Sequence, residues 1–545
     1  MSGTASSTPG PTVKLPQGTV VGIQETGGYP VPIEAFKGIP YALPPTGDRR
    51  FRPPVKVKPS EDVIDASHFG PRAPAKQFLI VGPELEESED CLTVNIFRQK
   101  GTTDQASPLP VALYMHGGAF NRGNAAMHDT GAMVGWSELP FIGVSFGYRI
   151  GALGFLPSKL SAKEGALNLG LKDQICLMDW VQDNISFFGG DPGRVTLFGL
   201  SAGAHSIGHH LLNYKEGHAP PFRQVIMESG APTSRAVRAA DSDIHENQFK
   251  DFLKAVECPP DLSDTDIFGF LRSLPLSTIT KAQTTVFYNY NPSLCWAFQP
   301  VIDGEIIRRP PIEAWRNGQW HKMPILTGHT TNEGSLYVDK NMSTTEQFIN
   351  FWANLLPGLT EEDLKTIDAL YPDPTRFPSS IYQETRSGVG KTYKRIEAAY
   401  AQYAYIAPVQ QTAHLASPEV PVYLYHWALE SDVVMGARHG DNMFYEMRDS
   451  KKCALSQTQD ELSGILHAYM TSFICTGDPN TLQGKYSRRP PWPKFEKDAP
   501  RSMVFAQDNK ELVGGKTGSP AVIADDLWAK EESHFWWSKV EISQR

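Results

Sequence analysis

Gly199-Leu200-Ser201-Ala202-Gly203 lies between an apolar run, Val195–Phe198, and a stretch with helical character. Glycines two positions before and after a serine mark a sharp strand-to-helix turn, because a Cβ at either place would strike neighbouring elements. Such a turn raises the Ser201 hydroxyl above the carboxyl edge of a sheet. It also puts the Ala202 N–H at a helix N-terminus, where it faces negative charge developing on a substrate. This is the setting of a nucleophile elbow. It requires a strand that runs straight into a helix.

The rest of the chain repeats that alternation. VALYMHGGAF (111–120) is an apolar strand entering a glycine turn, with Val111, Leu113 and Met115 on one face and Ala112 and Tyr114 on the other. FIGVSFGYR (141–149) is a second strand. In the helix that follows, Leu171, Ile175, Met178 and Val181 recur near the helical period, and Gly189–Gly190 ends it. RQVIMESG, KMPILTGHTTNEG and VPVYLYHW continue the series. The pattern predicts an α/β fold, a large mostly parallel central sheet flanked by helices. Residues 1–17 are rich in Ser, Thr and Pro and read as a flexible lead. Residues 18–545 read as a single domain, with a helix-rich cap or insert around 340–415.

Charge narrows the partners. The net charge of -9 disfavours nonspecific binding to nucleic acid or an anionic membrane, both polyanionic. No apolar run has the length of a membrane span. The six cysteines form no CxxC pair and no histidine cluster has zinc spacing, so no metal is expected and the cysteines read as free thiols. The N-terminus shows no basic region followed by an apolar one, and the expectation is an intracellular, cytoplasmic protein.

His116-Gly117-Gly118-Ala119-Phe120 follows its own strand, and its small residues let backbone N–H groups face a ligand. With this loop and the serine turn in view, the chain resembles the type-B carboxylesterase/lipase family, which includes the cholinesterases and has the α/β-hydrolase fold. The matching stretches span most of the sequence: FKGIPYALPPTGDRRF (36–51), SEDCLTVNIF (88–97), YMHGGAF (114–120), GYRIGALGFL (147–156), NLGLKDQ (168–174), WVQDNISFFGGDPGRVTLFGLSAGA (180–204), MESGA (227–231), PVIDG (300–304), TNEGS (331–335), GARHGDN (436–442) and TGDPN (476–480).

A serine hydroxyl needs an imidazole base, and the imidazole needs a carboxylate to fix its tautomer. Residue physics supplies only the order Ser, acid, His. The resemblance selects Glu333 and His439 as partners of Ser201, with the N–H groups of Gly118, Ala119 and Ala202 as the oxyanion hole. It implies a substrate pocket at Phe120, Leu294, Trp296, Leu336 and Tyr337. His209 and His210 lie on the helix leaving Ser201 and read as structural. Arg149 with Asp173, and Arg50 with Glu89, match family ion pairs and read as scaffold.

Departures from the family pattern carry information. Ala119 replaces the usual third glycine, which keeps the N–H. Ala73 and Phe270 stand where partners of Cys91 and Cys258 are expected, which suits a reducing compartment. Residues 73–90 hold no tryptophan, which argues against choline esters. The expectation is a serine carboxylic-ester hydrolase acting through an acyl-enzyme on a small, uncharged, fairly apolar ester, with no cofactor. An acyltransferase or lactone-processing enzyme with the same triad stays open. A non-catalytic interaction protein is disfavoured by the intact Ser201, Glu333 and His439.

Overall fold

The computed structural model describes residues 10–75, 82–102, 107–235 and 237–544. Its strands are β1 (Thr12–Leu15), β2 (Gly18–Val21), β3 (Ile23–Glu25), β4 (Ile33–Pro40), β5 (Val63–Asp65), β6 (Thr93–Gln99) and β7 (Leu109–Met115). They continue with β8 (Ile142–Phe146), β9 (Gly190–Leu200), β10 (Gln224–Glu228), β11 (Ile325–Thr330), β12 (Val422–Trp427), β13 (Arg501–Gln507) and β14 (Ser519–Asp525). β1, β2 and β5 form a small sheet. The others form an eleven-stranded sheet in the order β14-β13-β12-β11-β10-β9-β7-β8-β6-β4-β3. From β8 to β13 every pairing in that order is parallel, and antiparallel strands close both edges.

Strand periodicity explains why the sheet is covered on both faces. Val111, Leu113, Val195, Leu197, Val225, Met227, Val422 and Leu424 enter one apolar core. Their neighbours Ala112, Tyr114, Phe198, Ile226, Tyr423 and Tyr425 enter the other. Successive side chains of a strand point to opposite faces, so a wholly apolar run needs two covering layers.

Helix Leu169–Asn184 buries Leu171, Met178 and Val181. A 3-10 turn, Ile185–Phe188, follows, and Gly189 ends it at φ 87. The 340–415 region carries helices Thr345–Leu355, Glu361–Leu370, Tyr393–Ala401 and Ala407–Ala416, with a π-turn at Gln402–Ile406. Its aromatic residues, among them Trp352, Tyr371 and Tyr400, form their own core.

The expected flexible lead over residues 1–17 does not hold at Thr12–Leu15, which form a strand. Residues 1–9 lie outside the described residues, but β1 pairs antiparallel with β2 and buries Val13 and Leu15. Four alternating residues suffice for an edge strand, and the Ser/Pro-rich context hid them. The six cysteines are free thiols: Cys91, Cys176 and Cys475 are buried, the others half-buried. Among the described residues, no helix is long and apolar enough to cross a membrane.

Candidate active site

Ser201 stands where β9 meets helix Ala202–Leu212, with φ 59 and ψ -122. A non-glycine residue held there stores about 1–3 kcal/mol of backbone strain. Two hydrogen bonds hold it: the Ser201 N–H donates to Glu228 O (2.8 Å), and the Ser201 carbonyl accepts from His205 N (2.9 Å). The glycines are required by close approach. A Cβ on Gly199 would meet Met115 O at 2.7 Å, and one on Gly203 would meet the same oxygen at 2.0 Å. The end of β7 therefore presses directly against the serine turn.

The loop after β7 is strained as well. Gly118, Ala119 and Phe120 have φ of 116, 56 and 61. Asn121 Nδ2 and Gln299 Nε2 each donate to Ala119 O at 2.9 Å, and Gly151 N donates to Phe120 O at 2.7 Å. These bonds fix the peptide planes of the loop. A Cβ on Gly117 would fall 3.1 Å from Ser201 Cβ, so loop and serine share one wall.

Glu333 follows β11 and is fully buried. Its Oε1 accepts from Thr330 N (2.8 Å), and its Oε2 pairs with His439 Nδ1. The other imidazole nitrogen, His439 Nε2, is buried and has no hydrogen-bond partner. Ser201, His439, Gly118 and Ala119 line one cavity of about 110 Å3, with Leu336 and Tyr337 in its wall. The Tyr337 and Tyr405 rings lie 5.4 and 4.6 Å from the His439 ring.

Other expected pocket residues fall elsewhere. Phe120 packs on Phe155 (5.0 Å) in a separate apolar cluster and does not line this cavity. Leu294 and Trp296 line a neighbouring cavity together with Arg235. Ala202 is buried at the first position of its helix, under Ser201. The structure adds Arg122, Met443 and Phe444 to the main cavity. No periodicity marks these three, because they come from loops and a short helix that only folding brings together.

Burial shifts several titratable groups nearby toward their neutral forms. Burial lowers His209 and His210 to about 3, and His210 Nε2 pairs with Gln174 Oε1 (2.8 Å), which makes them scaffold. Burial raises Glu228 to about 7, where Tyr425 and Asn442 donate to its Oε1 at 2.9 and 2.8 Å. Arg149 grips Asp173 through Nη2–Oδ1 (2.6 Å) and Nε–Oδ2 (2.8 Å), and Arg50 grips Glu89 at 2.6 and 2.7 Å. Both pairs are buried, and they also tie loops together: Arg149 donates to Arg52 O (2.7 Å) and Arg50 to Leu274 O (2.6 Å).

Comparison with known proteins agrees with this architecture. Residues 9–521 match the model of the carboxylesterase family. Secreted lipase 4 of Gibberella zeae is 34% identical over 522 residues, covering 95% of this chain and 90% of that one. A secreted triacylglycerol lipase of the same fungus is 29% identical over 557 residues, 94% and 91% of the two chains. The crystal structure of Aspergillus niger EstA superposes with a TM-score of 0.83 at 26% identity, over 98% of this chain and 99% of that one.

Proposed function

This chain belongs to the carboxylesterase family and is a carboxylesterase with an α/β-hydrolase fold, and from that premise we propose that it works through an acyl-enzyme on Ser201. One observation carries this reading. His439 gives Nδ1 to Glu333 and keeps Nε2 buried and unpaired, in the wall of the cavity that Ser201 also lines. A buried nitrogen without a partner is costly unless it has a task.

In this mechanism His439 Nε2 takes the Ser201 proton as the serine oxygen attacks the ester carbonyl. Glu333 holds the proton on Nδ1 and stabilises the imidazolium. The N–H groups of Gly118, Ala119 and Ala202 receive the oxyanion, each contributing roughly 3 kcal/mol. The C–O bond to the alcohol breaks and His439 returns the proton to the departing oxygen. Water then repeats the sequence and releases the acid. The Ala119 methyl leaves its N–H available, and the Asn121 and Arg122 N–H groups, which both donate to Gly118 O at 3.0 Å, fix the peptide plane that carries it.

The wall of the cavity that Ser201 lines includes Leu200, Leu336, Met443 and Phe444, which supports an ester with apolar groups near its reacting bond. The two relatives are named as secreted lipases. Their names point away from the intracellular expectation, and a location outside the cell is the reading they support.

The test is an ester panel run with wild type and Ser201→Ala, together with fluorophosphonate labelling and peptide mapping. The expected result is label on the Ser201 peptide and a loss of kcat/KM on the order of 10^4-fold or more in a folded variant. Equal rates in the two proteins would overturn the assignment.

A further inference from the structure

Arg235 occupies an unusual position beside the catalytic cavity. Its guanidinium lies 4.0 Å over the Trp296 ring, 5.4 Å from the Tyr405 ring and 5.9 Å from the Tyr337 ring. Nη2 donates to the Tyr405 hydroxyl. Nε and Nη1 are buried and have no hydrogen-bond partner. Among the described residues, no carboxylate forms an ion pair with it. Stacking on aromatic faces stabilises the charge, but the N–H bonds lie in the guanidinium plane and the rings do not satisfy them. A desolvated cation with open donors is costly unless an acceptor reaches it, and an anion serves best.

The space beside it fits one. Arg235 and Arg238 line a cavity of about 30 Å3 whose wall holds no Asp or Glu. By that measure a water needs ~10–15 Å3, so the space admits a carboxylate but not a long chain. Gln299 lines it and also holds the Ala119 carbonyl. Trp296 lines it too, with its ring 5.4 Å from that of Tyr337 in the main cavity. Two side chains, Trp296 and Tyr337, thus stand between the two spaces. The main cavity also has no acidic residue in its wall and contains Arg122 and Arg438.

We propose that the Arg235–Arg238 cavity seats the carboxylate of an anionic ester, so that this enzyme acts on esters whose acyl or alcohol part carries a carboxylate. The proposal rests on the Ser201 acyl-enzyme reading and replaces the uncharged ester expected from sequence. The substrate is apolar around the reacting bond and charged at one end.

The experiment compares monoethyl and diethyl esters of succinate, glutarate and adipate, which carry the charge on the acyl side. A second arm compares acetyl lactate with its ethyl ester, which carries it on the alcohol side. Wild type is expected to prefer the charged member of one arm at least ten-fold in kcat/KM. Arg235→Met is expected to bring that preference down to near one, mainly through KM, and Arg235→Lys to restore part of it. A wild-type preference of one or less in both arms, or a preference unchanged in Arg235→Met, overturns the proposal. Calorimetry on Ser201→Ala gives a readout that needs neither turnover nor a folded Arg235 variant. Tighter binding of the charged ester by ten-fold supports the seat, and equal binding of the two overturns it. Turnover retained in Ser201→Ala would instead defeat the acyl-enzyme reading alone.

Discussion

Glu333 holds His439 by Nδ1 while the backbone N–H of Thr330 occupies the other oxygen of the same carboxylate. The carboxylate is thus used on both sides, and its two oxygens are not interchangeable.

That asymmetry predicts the effect of Glu333→Gln. The Gln carbonyl would take the Thr330 N–H, which turns the amide NH2 toward His439. Nδ1 would then have to accept, and the imidazole proton would move to Nε2, where it blocks the base. The variant should fold and lose about 10^4-fold in kcat. Steady-state kinetics beside a thermal melt checks this.

Gly203→Ala should damage the scaffold, because its methyl would fall 2.0 Å from the Met115 carbonyl oxygen. Backbone cannot rotate away as a side chain can, so a cost of about 1–3 kcal/mol or more is expected, with reduced labelling of Ser201. Gly217→Ala is the control. Its added methyl meets nothing within 4 Å, and its φ of +76 limits the cost to about 1–2 kcal/mol. Denaturant midpoints of the two variants separate collision from backbone strain.

Arg149→Met should destabilise the protein by about 3–5 kcal/mol, because Asp173 would be left charged and buried. The double variant Arg149→Met with Asp173→Leu should recover part of that loss. A double variant no more stable than the single one would contradict the buried-charge account.

Glu397 gives a pH signature. It is fully buried, its two oxygens accept from Asn332 Nδ2 (3.1 and 3.2 Å), and burial raises it to about 7. Arg386 and Lys394 pull it down and Glu384 pushes it up, by smaller amounts. A raised carboxyl binds its proton more tightly in the folded state. Its stabilising contribution is therefore greatest below the unfolded value of about 4.5 and is lost as pH rises through about 7, on the order of 3 kcal/mol in all. Glu397→Gln should gain stability over wild type between pH 5 and 8, read from melting temperatures across that range. A constant difference at every pH would refute the assignment.

The strand–helix alternation, the serine turn and the two sheet faces were legible in the residues, because each is written in local period and glycine spacing. β1 and the exposed antiparallel edge strand β14 were not, since a short or half-exposed edge has a weak pattern. Resemblance singled out Glu333 and His439, and the structure brings the two into a hydrogen bond, a pairing that spacing alone could not read across 106 residues. It placed Leu294 and Trp296 in the pocket wall, but they face the neighbouring cavity.

Sequence by itself therefore determined the sheet, its two coverings and the turn that carries Ser201. Tertiary structure decided what surrounds that serine: the open nitrogen of His439, the tyrosines against its ring, and the two open donors of the Arg235 guanidinium. The physical reason is range. Periodicity and turn chemistry act over a few residues, whereas the partner a buried polar atom finds or lacks depends on loops distant in the chain meeting at one end of the parallel strands.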